Sequence, residues 1–463
     1  MIRSTLQQQL LADFTDRNSL STPMRKPHLL YVAWGYPPAR GAGMYRALAS
    51  ANAYAEAGWR VTVLTATRET FASLTGTDEL AEQQIQSSIT VVRVPFDLSR
   101  GETNLSQWTR LRVASPLLWS FLKSLGESSA FPEPRYGAWR RPLVAAAREV
   151  HRNTPVDLVI GTANPNIDFL PGYYLNKSHG IPYVMDYRDT WHLDMYRGSR
   201  IGSRSSRSAR WEKRLLKSAS EVWFVNKPIL QWHAREFPTD APKFHVVTNG
   251  FDPEFLQGQV DRVSSRDGLI FGYLGTIYGP MPVHETLEGW RQARKHSPVL
   301  ANAVFEIHGR LGHYSAPNAQ MLELIESYAV DGVRYMGIVS KTQVAEVYSR
   351  FDALLLVLGQ SEYISSGKVY EYAGTGLPIA SLHHPETAST TVLQDYPRWV
   401  AAAEVSAESF AESIVALGMM ALDSDADAQA QARKSAARFE RLRQLEPRIS
   451  EWTRQTMSES GRQ

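Results

Sequence analysis

Short apolar runs alternate with longer, helix-like segments along most of the chain. In the first half these runs lie at residues 28–33, 60–65, 89–94, 156–161, 182–186, 221–225 and 244–248. In the second half they lie at 267–274, 304–308, 333–335, 353–356 and 378–382. Apolar runs of this length separated by helices are typical of βαβ units, whose strands are parallel. The pattern predicts an α/β protein with two doubly wound parallel sheets, the second starting after residue 250.

This restart defines the expected domains. We expect an N-terminal extension over residues 1–26, a first Rossmann-like domain over 27–249 and a second over 250–424. A polar stretch at 261–267 precedes the second series of strands. Residues 425–463 are rich in Ala, Arg and Gln, which predicts a helical segment able to pack back on the first domain.

Composition removes several classes of protein. The 463 residues include no Cys, which excludes disulfides, thiolate metal sites and a Cys nucleophile. No run of 18 apolar residues predicts a membrane span, and the first 26 residues do not have the pattern of a secretory signal. The net charge of +3 is mild, so nucleic acid is not an expected partner. We expect a cytoplasmic protein, with membrane association left open.

The segment SSGKVYEYAGTGLP, at residues 365–378, combines features of a phosphate site. Ser366 is placed to cap a helix that starts at Gly367, and free N–H groups at a helix start bind phosphate. Lys368 adds a positive charge, and Glu371 lies one turn later on the same face, where a carboxylate suits ribose hydroxyls. The alternative is an ordinary surface helix whose Lys–Glu pair is solvated.

A second glycine-rich loop, GYPPARGAG, follows the first apolar run. A dinucleotide fingerprint would need GxGxxG spacing and an acidic residue after the second strand. The glycine spacing differs, and Thr65 stands at the acidic position. A nicotinamide enzyme is therefore disfavoured.

The motifs together resemble the retaining glycosyltransferases of the GT-B architecture, family 4 in particular. The resemblance rests on SSGKVYEYAGTGLPIAS and on four further segments in the same order as in that family. These are YVAWGYPPARGAGMYRALASANAYAEAGWRVTVLT, VMDYRDTWH, VVTNGFDPEF and GYLGTIYGP. The resemblance implies two Rossmann-like domains facing an interdomain cleft, and transfer of a sugar from a nucleotide-diphosphate donor to an acceptor.

The resemblance also implies roles for residues of the second domain. Glu371 matches the second glutamate of the family's paired motif and would hold the donor ribose. Lys368, the backbone at Gly275 and Thr276, and Arg310 would bind the pyrophosphate. This chain departs from the family pattern at Tyr363, where the first glutamate is expected, and at Thr276, where many members have Arg. Contacts between Tyr363 and the sugar are therefore open.

On the first domain, the resemblance implies that the backbone at Gly41, Ala42 and Gly43 approaches the donor phosphates. It also directs attention to two strand ends. Asp189, after the 182–186 run, is the candidate charged group of the site, and with Lys368 it is the candidate catalytic pair. Arg188 and Asn164 are candidates for sugar or acceptor contacts. The adjacent residues His383 and His384 point in different directions and lack a spaced carboxylate. No metal and no cofactor other than the donor co-substrate is expected.

Two further segments suggest the surroundings of the acceptor. Arg200, Arg204, Arg207, Arg210, Arg214 and Lys217 recur at three- or four-residue steps, which would make one basic stripe if the whole segment were helical. The stretch between Leu105 and Leu125 mixes Trp and Leu with Arg and Lys, as interfacial helices do. These segments predict an anionic membrane surface or a lipid-linked acceptor as a partner. A solvated basic loop and a core helix are the alternatives.

Two other functions stay open. The departures at residues 363 and 276 suit a catalytically silent relative that acts as a binding or assembly subunit. A nucleotide-sugar epimerase would use the same architecture. The sequence does not identify the base, the sugar or the acceptor.

Overall fold

A computed structural model describes residues 25–102, 104–256, 268–279, 281–312, 317–339, 343–359, 361–423 and 426–460. The predicted N-terminal extension, apart from residues 25 and 26, and the polar stretch at 261–267 lie outside these residues.

The first sheet has seven strands in the order β3-β2-β1-β4-β5-β8-β9, and all its pairs are parallel. Its strands are β1 (His28–Val32), β2 (Arg60–Ala66), β3 (Thr90–Val94), β4 (Leu158–Ala163), β5 (Tyr183–Tyr187), β8 (Glu221–Phe224) and β9 (Phe244–Val246). The antiparallel hairpin β6 (Leu193–Asp194) and β7 (Ser199–Arg200) stands apart from the sheet. Every residue of β1, β4 and β5 is buried, as expected where helices cover both faces.

Nine α-helices surround this sheet among the described residues. They are α1 (Ala42–Glu56), α2 (Arg68–Leu74), α3 (Glu79–Glu82), α4 (Arg110–Ala114), α5 (Pro116–Ala130), α6 (Arg140–Asn153), α7 (Leu170–His179), α8 (Arg207–Ser218) and α9 (Lys227–Glu236). Helix α8 begins at Arg207, capped by Ser206. The predicted stripe between Arg200 and Lys217 is therefore wrong in its first half. Arg200 lies on β7 and Arg204 in the following turn, and both bind Glu236, at 2.6 Å each.

The second sheet has six parallel strands in the order β12-β11-β10-β13-β14-β15. The strands are β10 (Ile270–Leu274), β11 (Val304–His308), β12 (Val333–Gly337), β13 (Ala353–Val357), β14 (Ile379–Leu382) and β15 (Trp399–Ala401). Its helices are α10 (Val283–His296), α11 (Ala319–Glu326), α12 (Val344–Ser349), α13 (Gly367–Thr375), α14 (Ala388–Leu393), α15 (Ala407–Leu422) and α16 (Ala426–Ala436). The predicted fold class, two Rossmann-like parallel sheets facing a cleft, is confirmed.

The last helix, α17 (Arg441–Ser460), returns to the first sheet. Leu445, Ile449 and Trp452 are buried in the same hydrophobic cluster as α1, and Thr453 accepts a hydrogen bond of 2.8 Å from the indole of Trp59. Helix α16 instead packs on the second sheet, through Ala432 and Ala436 among others. The chain therefore crosses between the two sheets twice, at residues 247–252 and at 437–441.

Each sheet changes winding direction between two adjacent strands, β1 and β4 in the first sheet and β10 and β13 in the second. Open α/β sheets bind ligands at the carboxyl ends of the strands at such points. The loops that carry the predicted site residues leave the strands at these ends.

Candidate active site

Helix α13 supplies the best-defined side of the site. Ser366 caps the helix by accepting a hydrogen bond of 3.3 Å from the Lys368 N–H, and Gly376 ends it in a left-handed conformation, with φ 78°. Val369, Tyr370, Tyr372 and Ala373 are buried, so packing fixes the helix axis. Gly367, at the first position, is exposed. The helix therefore begins where the sequence predicts, with its first residue exposed.

The Lys368 side chain reaches the loop after β10. Its ammonium donates a hydrogen bond of 3.1 Å to the carbonyl of Thr276, contacts the Tyr273 hydroxyl, and lies 4.4 Å from the centre of the Tyr273 ring. Gly275 allows this approach, because a Cβ added there would lie 2.1 Å from Cε of Lys368. Gly275 also has φ 149°, which side chains disfavour. The structure therefore brings Lys368 and the Gly275–Thr276 loop together, and their role in binding a pyrophosphate stays a prediction.

The ammonium is held in an unusual electrostatic state. Burial lowers the pKa of Lys368 to about 7, and the Glu371 carboxylate acts in the opposite direction. Glu371 lies one turn further along α13, half-buried, and accepts a hydrogen bond of 3.4 Å from Tyr348. With a pKa of about 7, the Lys368 side chain is only partly protonated at neutral pH. A bound anion would stabilise the protonated form and so raise this pKa.

Arg310 follows β11 and joins the same loop cluster through its backbone. Its carbonyl accepts a hydrogen bond of 2.8 Å from Ile277, and Gly275 donates one of 2.8 Å to the carbonyl of His308. The side chain is half-buried, and within the described residues no ion pair or hydrogen bond is found for its guanidinium. Arg310 is therefore positioned beside Gly275 and Thr276, and its predicted role toward phosphate stays a prediction.

The first sheet supplies the start of α1, preceded by Gly41 with φ 149°. Gly43, in the first turn, is covered by the guanidinium of Arg188, since an added Cβ would lie 1.6 Å from Nη1. Nη2 of Arg188 donates a hydrogen bond of 3.1 Å to the carbonyl of Asn164, whereas the buried Nε has no partner among the described residues. Arg188, Asn164 and the glycine loop, all predicted from the sequence, therefore form one group; Ala42 is the first residue of the helix.

Two buried acids, not predicted from the sequence, support this group. Glu133 accepts hydrogen bonds of 2.9 and 2.8 Å from the N–H groups of Asn166 and Ile167, just after Asn164. Burial raises its pKa to about 7, although these donors oppose the shift. Asp168 accepts a hydrogen bond of 2.7 Å from Trp34, and burial raises its pKa well above the usual range. Neither lies in a strand-end motif, so no sequence signal identified them.

The two sides approach each other at three places. At the first place, the pKa of Tyr45 on α1 is raised by burial and then by the charges of Asp78 and Glu371. Because Glu371 lies on α13, its effect indicates that Tyr45 is near that helix. At the second place, the ring centres of Tyr196 and Tyr278 are 6.5 Å apart. The pKa of Tyr278 is raised to about 12 by burial, by Tyr196 and by the nearby charge of Asp189.

The third contact involves Tyr363. It is 6% exposed and packs with the hydrophobic cluster of the first sheet, and its carbonyl accepts a hydrogen bond of 3.0 Å from Asn226. Tyr363 therefore packs between the two halves of the protein, and its contact with the sugar stays a prediction. Asp189 is half-buried next to Arg188, and its catalytic role also stays a prediction.

The first crossover is fixed by an ion pair that sequence reasoning missed. Arg46, on α1, binds Asp186 through Nε and Nη2, at 2.9 and 2.6 Å, and both residues are at least 98% buried. The same guanidinium donates to the carbonyls of Val247 and Thr248, at 3.0 and 2.9 Å. The sequence offered one signal for this pair: a single Arg in a helix of small residues and a single Asp in an apolar strand. The pair connects the glycine-loop helix directly to the crossover.

Within the described residues, no group of three His, Asp or Glu side chains is arranged to hold a metal ion. His383 instead makes local contacts of 3.0 and 3.2 Å, with the His384 carbonyl and the Thr387 hydroxyl.

Comparisons with known proteins place this geometry in context. Residues 40–250 match the family model described as glycosyl transferase 4-like domain. No curated protein sequence is significantly similar to the chain. A glycosyltransferase from Rickettsia africae is 12% identical, with a TM-score of 0.61 over 93% of this chain and 98% of the other.

Two further solved structures cover nearly the whole chain. Sucrose-phosphate synthase from Thermosynechococcus elongatus is 13% identical, with a TM-score of 0.58 over 94% of this chain and 100% of the other. HepE from Anabaena, solved in complex with UDP, is 14% identical, with a TM-score of 0.53 over 94% of this chain and 100% of the other. At these identities the likeness establishes the fold. The chain thus has the GT-B fold of glycosyltransferases, and its residues 40–250 are similar to the glycosyl transferase 4-like domain.

Proposed function

We propose that the protein transfers a sugar from a nucleoside-diphosphate donor, bound in the cleft, to a glycan, lipid-linked or small-molecule acceptor. The observation that carries this proposal is the placement of Lys368. Its ammonium lies between the start of α13 and the Gly275 loop, one turn from Glu371. These groups offer a cation, free N–H groups and a carboxylate, which are the chemical groups that bind a diphosphate and its ribose.

The facing group on the first sheet supports a ligand that spans the cleft. Arg188 is held over the first turn of α1, and its Nε is buried without a partner in the described part of the chain. A buried unpaired donor is costly, and an anion or a sugar hydroxyl would satisfy it. The structure of HepE was solved with UDP, which makes a uridine nucleotide the first donor to test.

The reaction breaks the bond between the anomeric carbon and the diphosphate oxygen and forms a bond from that carbon to an acceptor hydroxyl oxygen. The hydroxyl proton passes to the departing phosphate. Lys368 and the helix N–H groups stabilise the negative charge that develops on the diphosphate, which is the basis for proposing a metal-independent reaction. The resemblance to family 4 favours retention of configuration, with attack from the face that the diphosphate leaves.

The test is a panel of UDP-, GDP-, ADP- and dTDP-sugars, with release of the nucleoside diphosphate as the first readout. We expect release with one base class and its loss in Lys368→Ala. Nuclear magnetic resonance of the product distinguishes a retained from an inverted anomer. Nucleotide binding without turnover in any acceptor mixture would instead indicate a silent binding subunit, and an altered free sugar nucleotide would indicate an epimerase. No binding of any nucleoside diphosphate would remove the proposal.

A further inference from the structure

Helix α5 carries its apolar side chains outward. Leu117, Leu118, Phe121, Leu122 and Leu125 follow one another at steps of one and three residues, so they lie on one face of the helix. Their exposed fractions run from 46% at Leu118 to 86% at Leu117. This is the reverse of a helix at the surface of a globular protein, where the apolar face packs inward.

The opposite face of α5 is polar and packs on the protein. Arg100 forms a salt bridge of 2.8 Å with the buried carboxylate of Glu127 and donates a hydrogen bond of 2.7 Å to Ser124. The guanidinium of Arg112 lies 4.6 Å from the centre of the Trp119 ring. These contacts fix the rotation of the helix, so the outward direction of its leucines is set by the polar side.

The exposed apolar surface continues beyond this helix. Leu111 and Val113 on α4 are 40% and 61% exposed, and Leu105, shortly before, is 67% exposed. We call these eight side chains, from Leu105 to Leu125, the apolar ridge. Soluble surfaces rarely cluster so many large apolar groups unless another surface covers them. Between residues 104 and 126 the sequence has no acidic residue.

A basic surface adjoins the ridge. Helix α8 exposes Arg207, Arg210, Lys213, Arg214 and Lys217, whereas its one acidic residue, Glu212, is fully buried. Arg207 donates a hydrogen bond of 2.7 Å to the carbonyl of Ser128, near the end of α5, which joins the two surfaces. The exposed face of α8 is therefore positively charged beside the apolar ridge.

We infer that the apolar ridge and the basic face of α8 together dock on an anionic lipid membrane. Apolar side chains enter the boundary between headgroups and acyl chains, while cations beside them bind anionic headgroups. A second copy of the chain fits this surface poorly, because a symmetric contact would bring the exposed cations of both α8 helices close together. Of the helices in the described part of the chain, none has the length and apolar character to cross a bilayer.

The docking surface is connected to the first-sheet side of the cleft. Phe131, directly after α5, packs on Trp191 at 5.3 Å between ring centres, and Trp191 lies two residues after Asp189. Glu133 then binds the N–H groups next to Asn164. Resting on the proposed function, this connection favours an acceptor that is anchored in the membrane.

The test is co-sedimentation with vesicles of phosphatidylglycerol and phosphatidylcholine, compared with phosphatidylcholine alone, in the absence of nucleotide. We expect binding to the anionic vesicles that weakens as salt is raised. Leu117→Glu/Phe121→Glu should lower this binding at least about tenfold, since two exposed side chains that would enter the membrane become charged. Val330→Glu is the matched control, because Val330 is 89% exposed on the second domain, and it should bind as the parent does.

A second variant separates charge from apolar insertion. Arg210→Gln/Lys213→Gln/Lys217→Gln should lower binding to anionic vesicles about tenfold or more and flatten its salt dependence. Absence of vesicle binding by the parent, or unchanged binding in Leu117→Glu/Phe121→Glu, would overturn the inference. So would a parent that is dimeric by sedimentation and becomes monomeric in that variant, because the ridge would then bind a second copy. Nucleotide is absent throughout, so these outcomes are independent of sugar transfer.

Discussion

The guanidinium of Arg188 lies directly over Gly43, where a Cβ added to the glycine would sit 1.6 Å from Nη1. Gly43→Ala therefore has to displace Arg188 from the first turn of α1. We expect sugar transfer to fall at least about tenfold, since small misplacements of a positioning group are costly, while the circular dichroism spectrum stays unchanged.

Gly126→Ala is the matched control for this substitution. An added Cβ at Gly126 meets no atom within 4 Å, and the residue lies inside a helix, so this variant should be fully active and slightly more stable. Full activity in Gly43→Ala would mean that the position of Arg188 does not matter for transfer.

A second prediction concerns Glu371 and the ribose of the donor. A carboxylate that binds ribose hydroxyls contributes about 1.5–3 kcal/mol, so Glu371→Gln should weaken UDP binding roughly 10- to 100-fold. The effect should depend on the hydroxyls themselves. In the parent, UDP should bind more tightly than 2′-deoxy-UDP, and in Glu371→Gln the two affinities should converge. Calorimetric titration of both nucleotides measures this.

Tyr348→Phe serves as the control for Glu371, because it removes a hydroxyl that lies 3.4 Å from the carboxylate and leaves the charge in place. Its effect on UDP binding should be small. If the parent does not distinguish the two nucleotides, Glu371 does not contact the 2′-hydroxyl.

The pH dependence of nucleotide binding provides a third prediction. Burial lowers the pKa of Lys368 to about 7 in the free protein. A bound diphosphate favours the ammonium and raises this pKa, so above pH 7 binding must take up a proton. The dissociation constant of UDP should then rise up to about tenfold per pH unit between pH 7.5 and 9. Titrations in buffers of different ionisation enthalpy measure the proton uptake.

Lys368→Arg separates charge from geometry in this experiment. A guanidinium stays charged over the whole range, so the slope above pH 7 should disappear even if the affinity is lower. The same steep slope in Lys368→Arg would assign the proton to another group.

The strands were predictable because buried parallel strands are nearly continuous apolar runs, and most observed bounds lie within two residues of the predicted ones. A larger difference is found for the 267–274 run, whose strand begins at Ile270. The 244–248 run ends as a strand at Val246, because the next two carbonyls accept hydrogen bonds from Arg46. Strand β15 was missed because Trp399–Ala401 is short and follows a charged residue, and the two-residue strands of the β6–β7 hairpin are too short to show alternation.

The site could be predicted where the sheet topology brings strand ends together, as for Lys368 with Gly275. It could not be predicted where it depends on packing between distant segments. Tyr363 packs into the core of the first sheet, and Glu133 reaches the start of a helix more than 30 residues away. Neither contact leaves a periodic pattern in the sequence. The sequence of α5 showed a mixture of Leu, Trp and Arg, which indicated an interfacial helix. Which face of the helix points outward depends on the salt bridge between Arg100 and Glu127, and this the sequence did not show.

The last prediction concerns the buried pair of Arg46 and Asp186. Removing one partner leaves the other charged and buried, which typically costs about 3–5 kcal/mol. Arg46→Met should lower the free energy of unfolding by this amount, measured by urea titration with tryptophan fluorescence, and Asp186→Asn should do nearly the same. Arg46→Met/Asp186→Asn should lose much less than the sum, because each substitution removes the same interaction. Arg68→Met is the control: its ion pairs with Glu79 and Glu82 are on the surface, with half of the Arg68 side chain exposed, and its loss should cost at most about 1 kcal/mol. Additive losses at Arg46 and Asp186 would show that the two residues stabilise the protein independently, and the crossover at Val247 would then not be held by this pair.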